Sequence, residues 1–193
     1  KEPEALELAL NLVKLSDLVL ENFRPGVMKR LGLGFDALCK VKPDIILVSL
    51  SSNGQTGPER GYAGYAPMFA AVGGLGHLTG YADGPPVELR HAMDHTSGML
   101  AAFSAVAGLC ARDGSTKKDA GGLFNIDPER TSPAQHIDVS LRDMATAFIG
   151  PALMDYAMNG REPQRQGNRD DEFVPQGVYR CLGQDAWVSI AVA

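Results

Sequence analysis

Long apolar runs, cysteines and a surplus of positive charge are all scarce in this sequence, and each shortage removes a class of function. No uncharged apolar stretch among the 193 residues approaches the roughly 18–20 that a membrane-spanning helix needs, so no membrane partner is expected. Cys39, Cys110 and Cys181 are odd in number, far apart and in no CxxC spacing. They form no disulfide framework and suit reduced, mostly buried thiols in a cytoplasmic protein. The formal net charge is −5, whereas a nucleic-acid binder usually carries a basic domain, so no nucleic acid is expected. An anionic small ligand could still bind through the local cluster of Arg24, Lys29 and Arg30. The opening KEPEALELALNLVKL lacks a continuous apolar h-region and a small-residue cleavage site, and predicts neither a secretory signal nor a transit peptide. With no G-x-S-x-G elbow, Ser97 is weak as a hydrolase nucleophile.

What is present reads as alternating helix and strand. Residues 3–15 place Ala5, Leu6, Ala9, Leu10, Leu12 and Val13 at helical period. Residues 17–21 are a short apolar run of strand length, followed by a turn, Asn22-Phe23-Arg24-Pro25-Gly26. Residues 44–50 are almost continuously apolar, as a parallel strand buried on both faces should be. Between the two strands, residues 26–41 read as helical with a break near Gly32 to Gly34. This is a βαβ unit, which predicts an α/β fold with a parallel sheet. Glycine-rich loops at 51–64 and 73–86 flank a helix at 65–72, and a long helix is expected from 95 to about 112. Residues 113–133 are polar and rich in Gly, Pro and Asp, and read as a long surface loop. A strand at 135–141, a helix at 142–159, an irregular stretch at 161–176 and a β-hairpin at 178–192 complete the chain. The first helix has no strand before it and the hairpin has nothing to cover it, which suggests part of a longer polypeptide. The expected organisation is a partial large domain over 1–141, a helical linker over 142–165 and the start of a small α+β domain over 166–193.

Three motifs compete for chemistry. Gly32-Leu33-Gly34-Phe35-Asp36-Ala37 has the G-x-G-x-x-A spacing, but the dinucleotide fingerprint needs a strand directly before it and an acid about 20 residues on. It is rejected. His91 and His95 have a spacing that can bind metal on a helix, yet Pro85 and Pro86 place His91 ahead of the helix and no third ligand is in view, so no metal is expected. Asp94 stands where a proline-rich turn gives way to MLAAFSAVAGLCAR. It is predicted to cap the helix beginning near His95, at the mouth of a cleft beside the 51–64 loop. A plain capping aspartate would have the same local composition.

The company of Asp94 argues for more. Glu21-Asn22-Phe23-Arg24-Pro25-Gly26 after a strand, LGLGFDAL, KPDIILVSLSSNGQTGP, TGYADGPPV, the Asp94 segment, HIDVSL and GNR occur in that order. In this the chain resembles the family III coenzyme A transferases, which include formyl-CoA and carnitine CoA transferases and, with different chemistry, α-methylacyl-CoA racemases. The resemblance covers roughly the middle half of a typical member. It implies a Rossmann-like large domain and an interlocked homodimer. It also implies a transfer of coenzyme A between an acyl-CoA and a small carboxylic acid, with coenzyme A as substrate and no permanently bound cofactor. Asp94 matches the aspartate that forms an anhydride and then an aspartyl-CoA thioester, while Asn22, Phe23, Arg24 and Arg30 match the region that holds CoA. Racemases carry a G-H-D motif where this chain has Gly64-Tyr65-Ala66, and tyrosine, with an ordinary pKa near 10, is a weak base at neutral pH. Transferase is therefore the expected activity, with a racemase or a silent CoA-binding fragment as alternatives. The long 113–133 loop and the absence of a glycine-rich run at 170–176 depart from the family pattern, and leave formyl or oxalyl specificity unsupported.

Overall fold

The computed structural model describes residues 2–114, 134–170 and 172–192. The elements in chain order begin with α1 (Pro3–Lys14), β1 (Leu18–Glu21), α2 (Val27–Leu31), α3 (Phe35–Val41) and β2 (Ile46–Ser51). They continue with α4 (Ala66–Val72), α5 (Leu75–Leu78), α6 (Ala92–Gly114), β3 (Gln135–Ser140), α7 (Leu141–Phe148) and α8 (Gly150–Asn159), and end in β4 (Gln176–Arg180) and β5 (Trp187–Ala191). Both β1 and β3 pair with β2 in parallel, Leu18 opposite Ile46 on one side and Ser51 opposite Ser140 on the other. The expected βαβ unit and parallel sheet are thus both present.

Position in the sheet explains the apolar run of β2. As the middle strand it is buried along its whole length, and its side chains alternate between two layers. Ile46, Val48 and Leu50 pack with Phe69 of α4, Ala101 of α6 and Ala145 of α7. Leu47, with Ile45 just ahead of the strand, packs with Val13 of α1 and Leu38 of α3. The anticipated break between α2 and α3 falls at Gly32, whose φ of 83° is a conformation that side chains disfavour. A Cβ there would also lie 3.0 Å from a methyl carbon of Leu6. Gly73, which ends α4, serves by its size alone: a Cβ would come within 2.6 Å of the Ala145 methyl carbon and 2.8 Å of the Arg142 carbonyl oxygen.

Two elements differ from their sequence reading. The single helix expected over 142–159 is two helices, because Pro151 near the start of α8 cannot donate the N–H that would continue α7. The stretch 73–86, read as loop, contains the short α5. The hairpin is formed as expected, with β4 and β5 antiparallel and Arg180 opposite Trp187. The thiols expected to be mostly buried are not: Cys39 is partly buried, while Cys110 on α6 and Cys181 just past β4 are exposed. Most of the long loop expected at 113–133 lies outside the described residues.

Arg112, near the end of α6, fastens that helix to the entry side of the sheet. Its guanidinium lies 3.1 Å from the Asp17 carboxylate and 3.7 Å from that of Asp44, which also pairs with Lys42 at 3.2 Å. Desolvation alone would raise the Asp44 pKa, but the Lys42 hydrogen bond and the positive charges of Lys42 and Arg112 outweigh it and hold the pKa below its ordinary value. A carboxyl held low in the folded state contributes stability above its unfolded pKa and loses that contribution as pH falls through the folded value. Acidification from about pH 5 to about pH 3 is therefore expected to lower Tm, and Asp44→Asn should flatten that slope. The group is half exposed, so the effect is small; an identical slope in wild type and variant would contradict it.

Candidate active site

The carboxyl ends of all three parallel strands open into one cavity of about 400 Å³. From the end of β1 come Asn22, Phe23 and Arg24, and from the end of β2 come Ser51 and Ser52. Leu141 follows β3, Ala63, Gly64 and Tyr65 lead into α4, Phe69 lies on α4, and Asp94 stands on α6. Ligands of open parallel sheets bind at this end of the strands, where helix N-termini and loop N–H groups converge.

Asp94 is inside the helix, not at its cap. The helix begins three residues earlier than the sequence reading placed it, at Ala92. His91 takes the left-handed φ of 60°, and its carbonyl accepts the His95 N–H at 3.1 Å. Aspartate is favoured both at a cap and in the first turn, where the helix dipole stabilises an anion, so composition alone could not separate the two. The location beside the 51–64 loop was read correctly. Exposed on the first turn, Asp94 lines a cavity to which Arg24 also contributes.

The Asn22-Phe23-Arg24 turn is held by a buried carboxylate. Glu21, only 6% exposed, accepts the Phe23 N–H at 2.7 Å. Phe23 itself is 50% exposed, so it is not the plain core aromatic that its residue type suggests. Arg24 also borders a second cavity of about 360 Å³ on the other side of the sheet. Lys29, Asp36, Lys40 and His136 are among the residues that line it, and the imidazole of His136 lies 2.9 Å from the Ser49 hydroxyl and stacks on Phe35. Arg30, on α2 near Gly26, is not among the residues lining either cavity.

Other motifs have structural roles. Ser97 is 1% exposed and its hydroxyl donates to the Met93 carbonyl, which accounts for it without nucleophilic chemistry. The His95 Nδ1 lies 2.8 Å from the His91 carbonyl oxygen, so that nitrogen carries the proton. Among the described residues no group of three or more His, Cys, Asp or Glu side chains could hold a metal ion. Phe69, Ser51 and Leu141 were missed by the sequence reading; only their place at the ends of strands or facing the core marked them. Ser51 is 4% exposed and its hydroxyl has no hydrogen-bond partner among the described residues.

A parallel α/β domain with a carboxylate-bearing helix at the strand ends defines a class of ligand-binding folds. Within it, the model of CoA-transferase family III matches residues 1–193, and the chain belongs to that family. It is 35% identical over 186 residues to acetyl-CoA:oxalate CoA-transferase of Acetobacter aceti, covering 91% of this chain and 44% of that protein. It is 30% identical to succinyl-CoA–D-citramalate CoA-transferase of Chloroflexus aurantiacus, covering 93% and 41%. Among solved structures, a CaiB/BaiF family protein from Brucella suis superposes with a TM-score of 0.80 at 28% identity, covering 96% of this chain and 45% of that one. The chain thus spans less than half the length of the relatives it matches.

Proposed function

We propose that this chain carries the nucleophile and much of the CoA-binding surface of a CoA transferase that exchanges coenzyme A between an acyl-CoA and a small carboxylic acid. One observation carries the reading: the Asp94 carboxylate and the Asn22-Phe23-Arg24 turn, 70 residues apart in sequence, line the same cavity. An Asp94 oxygen attacks the thioester carbonyl and the CoA thiolate leaves, giving a mixed acyl–aspartyl anhydride. The thiolate then attacks the Asp94 carbonyl, releases the donor acid as its carboxylate and leaves an aspartyl-CoA thioester. The incoming carboxylate attacks that thioester in turn, and the same two steps run in reverse order to regenerate Asp94. Each step exchanges one acyl bond for another, so no oxidant or permanently bound cofactor is required, and positioning supplies the rate.

The relatives' names support the substrate class, since they pair CoA with oxalate, citramalate and glutarate. Those relatives are transferases by name, and Tyr65 stands where a racemase would carry its histidine, so the racemase alternative is not adopted. An interlocked homodimer is part of the same reading, supported by the half-exposed Trp187, Val188 and Val192 of the hairpin. The test is mass spectrometry after incubation with an acyl-CoA. A covalent CoA adduct on the Asp94 peptide is expected, whereas α-proton exchange without an adduct would point to a racemase.

The phosphates of CoA are assigned to the Arg24–Arg30 region. Charge-assisted contacts to phosphate are roughly twice as strong as neutral ones, so Arg30→Ala is expected to weaken CoA binding by about tenfold. Calorimetry at low salt giving unchanged affinity would remove Arg30 from the site.

A further inference from the structure

The loop over residues 52–62 joins two walls of the Asp94 cavity, and the end of β3 grips it from outside. Asp138 of β3 accepts the Gln55 N–H at 2.7 Å. Its carboxylate lies so close to Gly54, which has a φ of 79°, that a Cβ there would come within 3.2 Å of an Asp138 oxygen. The Gln55 side chain in turn reaches 3.5 Å from Glu21, the buried carboxylate that holds the Phe23 N–H. Two residues past β3, Arg142 donates its backbone N–H to the Ser52 carbonyl at 3.1 Å and pairs its guanidinium with Glu59. Asn53 closes the loop on itself by donating to the Glu59 carbonyl at 3.2 Å. Neither Asp138 nor Arg142 lines the cavity.

We propose that Asp138 and Arg142 are positioning residues: through Gln55 and Glu59 they hold the 52–62 loop so that the Ser51–Ser52 and Ala63–Tyr65 walls and the Phe23 turn keep a fixed geometry around Asp94. The proposal rests on the CoA-transferase reading for the purpose of the clamp, but the clamp has a readout of its own. Loops are ordinarily the mobile part of a parallel α/β domain, and this one is fixed by a charge-assisted bond to a backbone N–H at one end and an ion pair at the other. A displacement of about 1 Å at a reacting centre can cost up to about 100-fold in rate, so a loosened wall should show in the chemical step before it shows in binding.

Asp138→Asn and Arg142→Gln test the clamp, with Arg142→Lys as the conservative variant, in the purified protein. Hydrogen exchange across residues 52–62 is expected to quicken in the first two and to return toward wild type in Arg142→Lys. Formation of the Asp94 adduct from acyl-CoA is expected to slow by about 10-fold or more. CoA affinity should stay within about twofold and Tm should be nearly unchanged, because both side chains lie outside the core. If wild type forms no adduct while the loop amides still exchange faster in Asp138→Asn, the clamp stands and the CoA reading falls. If wild type forms the adduct while exchange and adduct rate are unchanged in both variants, the clamp is overturned and the CoA reading stands. A matched loss of Tm, CoA affinity and rate would likewise overturn it, since that is the pattern of a merely structural role.

Discussion

Asp94→Asn is expected to abolish the CoA adduct and to lower transfer on the order of 10³-fold or more, with CoA binding retained. The amide is nearly isosteric but lacks the anionic oxygen that the proposed reaction requires for attack on the thioester. Its cost to the fold should be small. Asp94 is exposed on the first turn of α6, where exchanging a carboxylate for an amide forfeits only the dipole interaction, about 0.3–1 kcal/mol. The Asn22-Phe23-Arg24 turn is held by the Glu21 carboxylate, which accepts the Phe23 N–H. The informative comparison is therefore rate and adduct against affinity and Tm. Transfer activity that persists in the variant, with a CoA adduct on another residue, would move the nucleophile elsewhere in the cavity.

Gly73→Ala is expected to give a large stability loss for a single added methyl. The backbone at Gly73 has an ordinary φ of −76°, so no conformational penalty enters and the effect is purely steric. Ala145, fully buried on α7, would meet the new methyl at 2.6 Å, and the carbonyl oxygens of Arg142 and Phe69 would meet it at 2.8 and 3.0 Å. Two of these three neighbours are backbone and cannot rotate away, so α4 and α7 must separate. Overpacking of this kind costs about 1–3 kcal/mol, which for a chain of this size corresponds to a fall in Tm of about 3–10 °C. Ala145→Gly in the same chain should recover only part of the loss, because the two carbonyl contacts remain. A variant as stable as wild type would show that α4 and α7 pack more loosely than this geometry. Phe69 rides on α4 and lines the cavity, so adduct formation should slow together with the loss of stability.

Features set by local residues could be read from the sequence. The continuous apolar run at 44–50 marked a central parallel strand because burial on both faces leaves no polar position, and the glycines at 32–34 marked the α2–α3 break because one of them has to turn left-handed. Asn22, Phe23, Arg24 and Asp94 were singled out as candidates through a resemblance, and the structure gathers them around one cavity. Arg30 was singled out the same way and is not among the residues lining that cavity. The helix start at Ala92 was not legible, since an aspartate suits the cap and the first turn equally well. Nor were the contacts that fix the 52–62 loop: Gln55 with Asp138 and Glu59 with Arg142 are each 83 residues apart, and nothing local in either segment reports its partner. Pairings of that range are decided by topology, after the strands have found their order.

The two-stranded ribbon of β4 and β5 holds the chain's single tryptophan, Trp187, half exposed and donating its indole N–H to Asp185 at 2.8 Å. A lone hairpin is marginal in water, whereas the three-stranded sheet has helices packed on both faces. Tryptophan emission is therefore a local gauge here. It follows the ribbon and whatever comes to rest on it, and it is silent about the core, whose loss must be followed by backbone circular dichroism. Anyone titrating this protein with a ligand, a denaturant or a second copy of itself holds two separate dials, and a disagreement between them locates the event on one side of the molecule or the other.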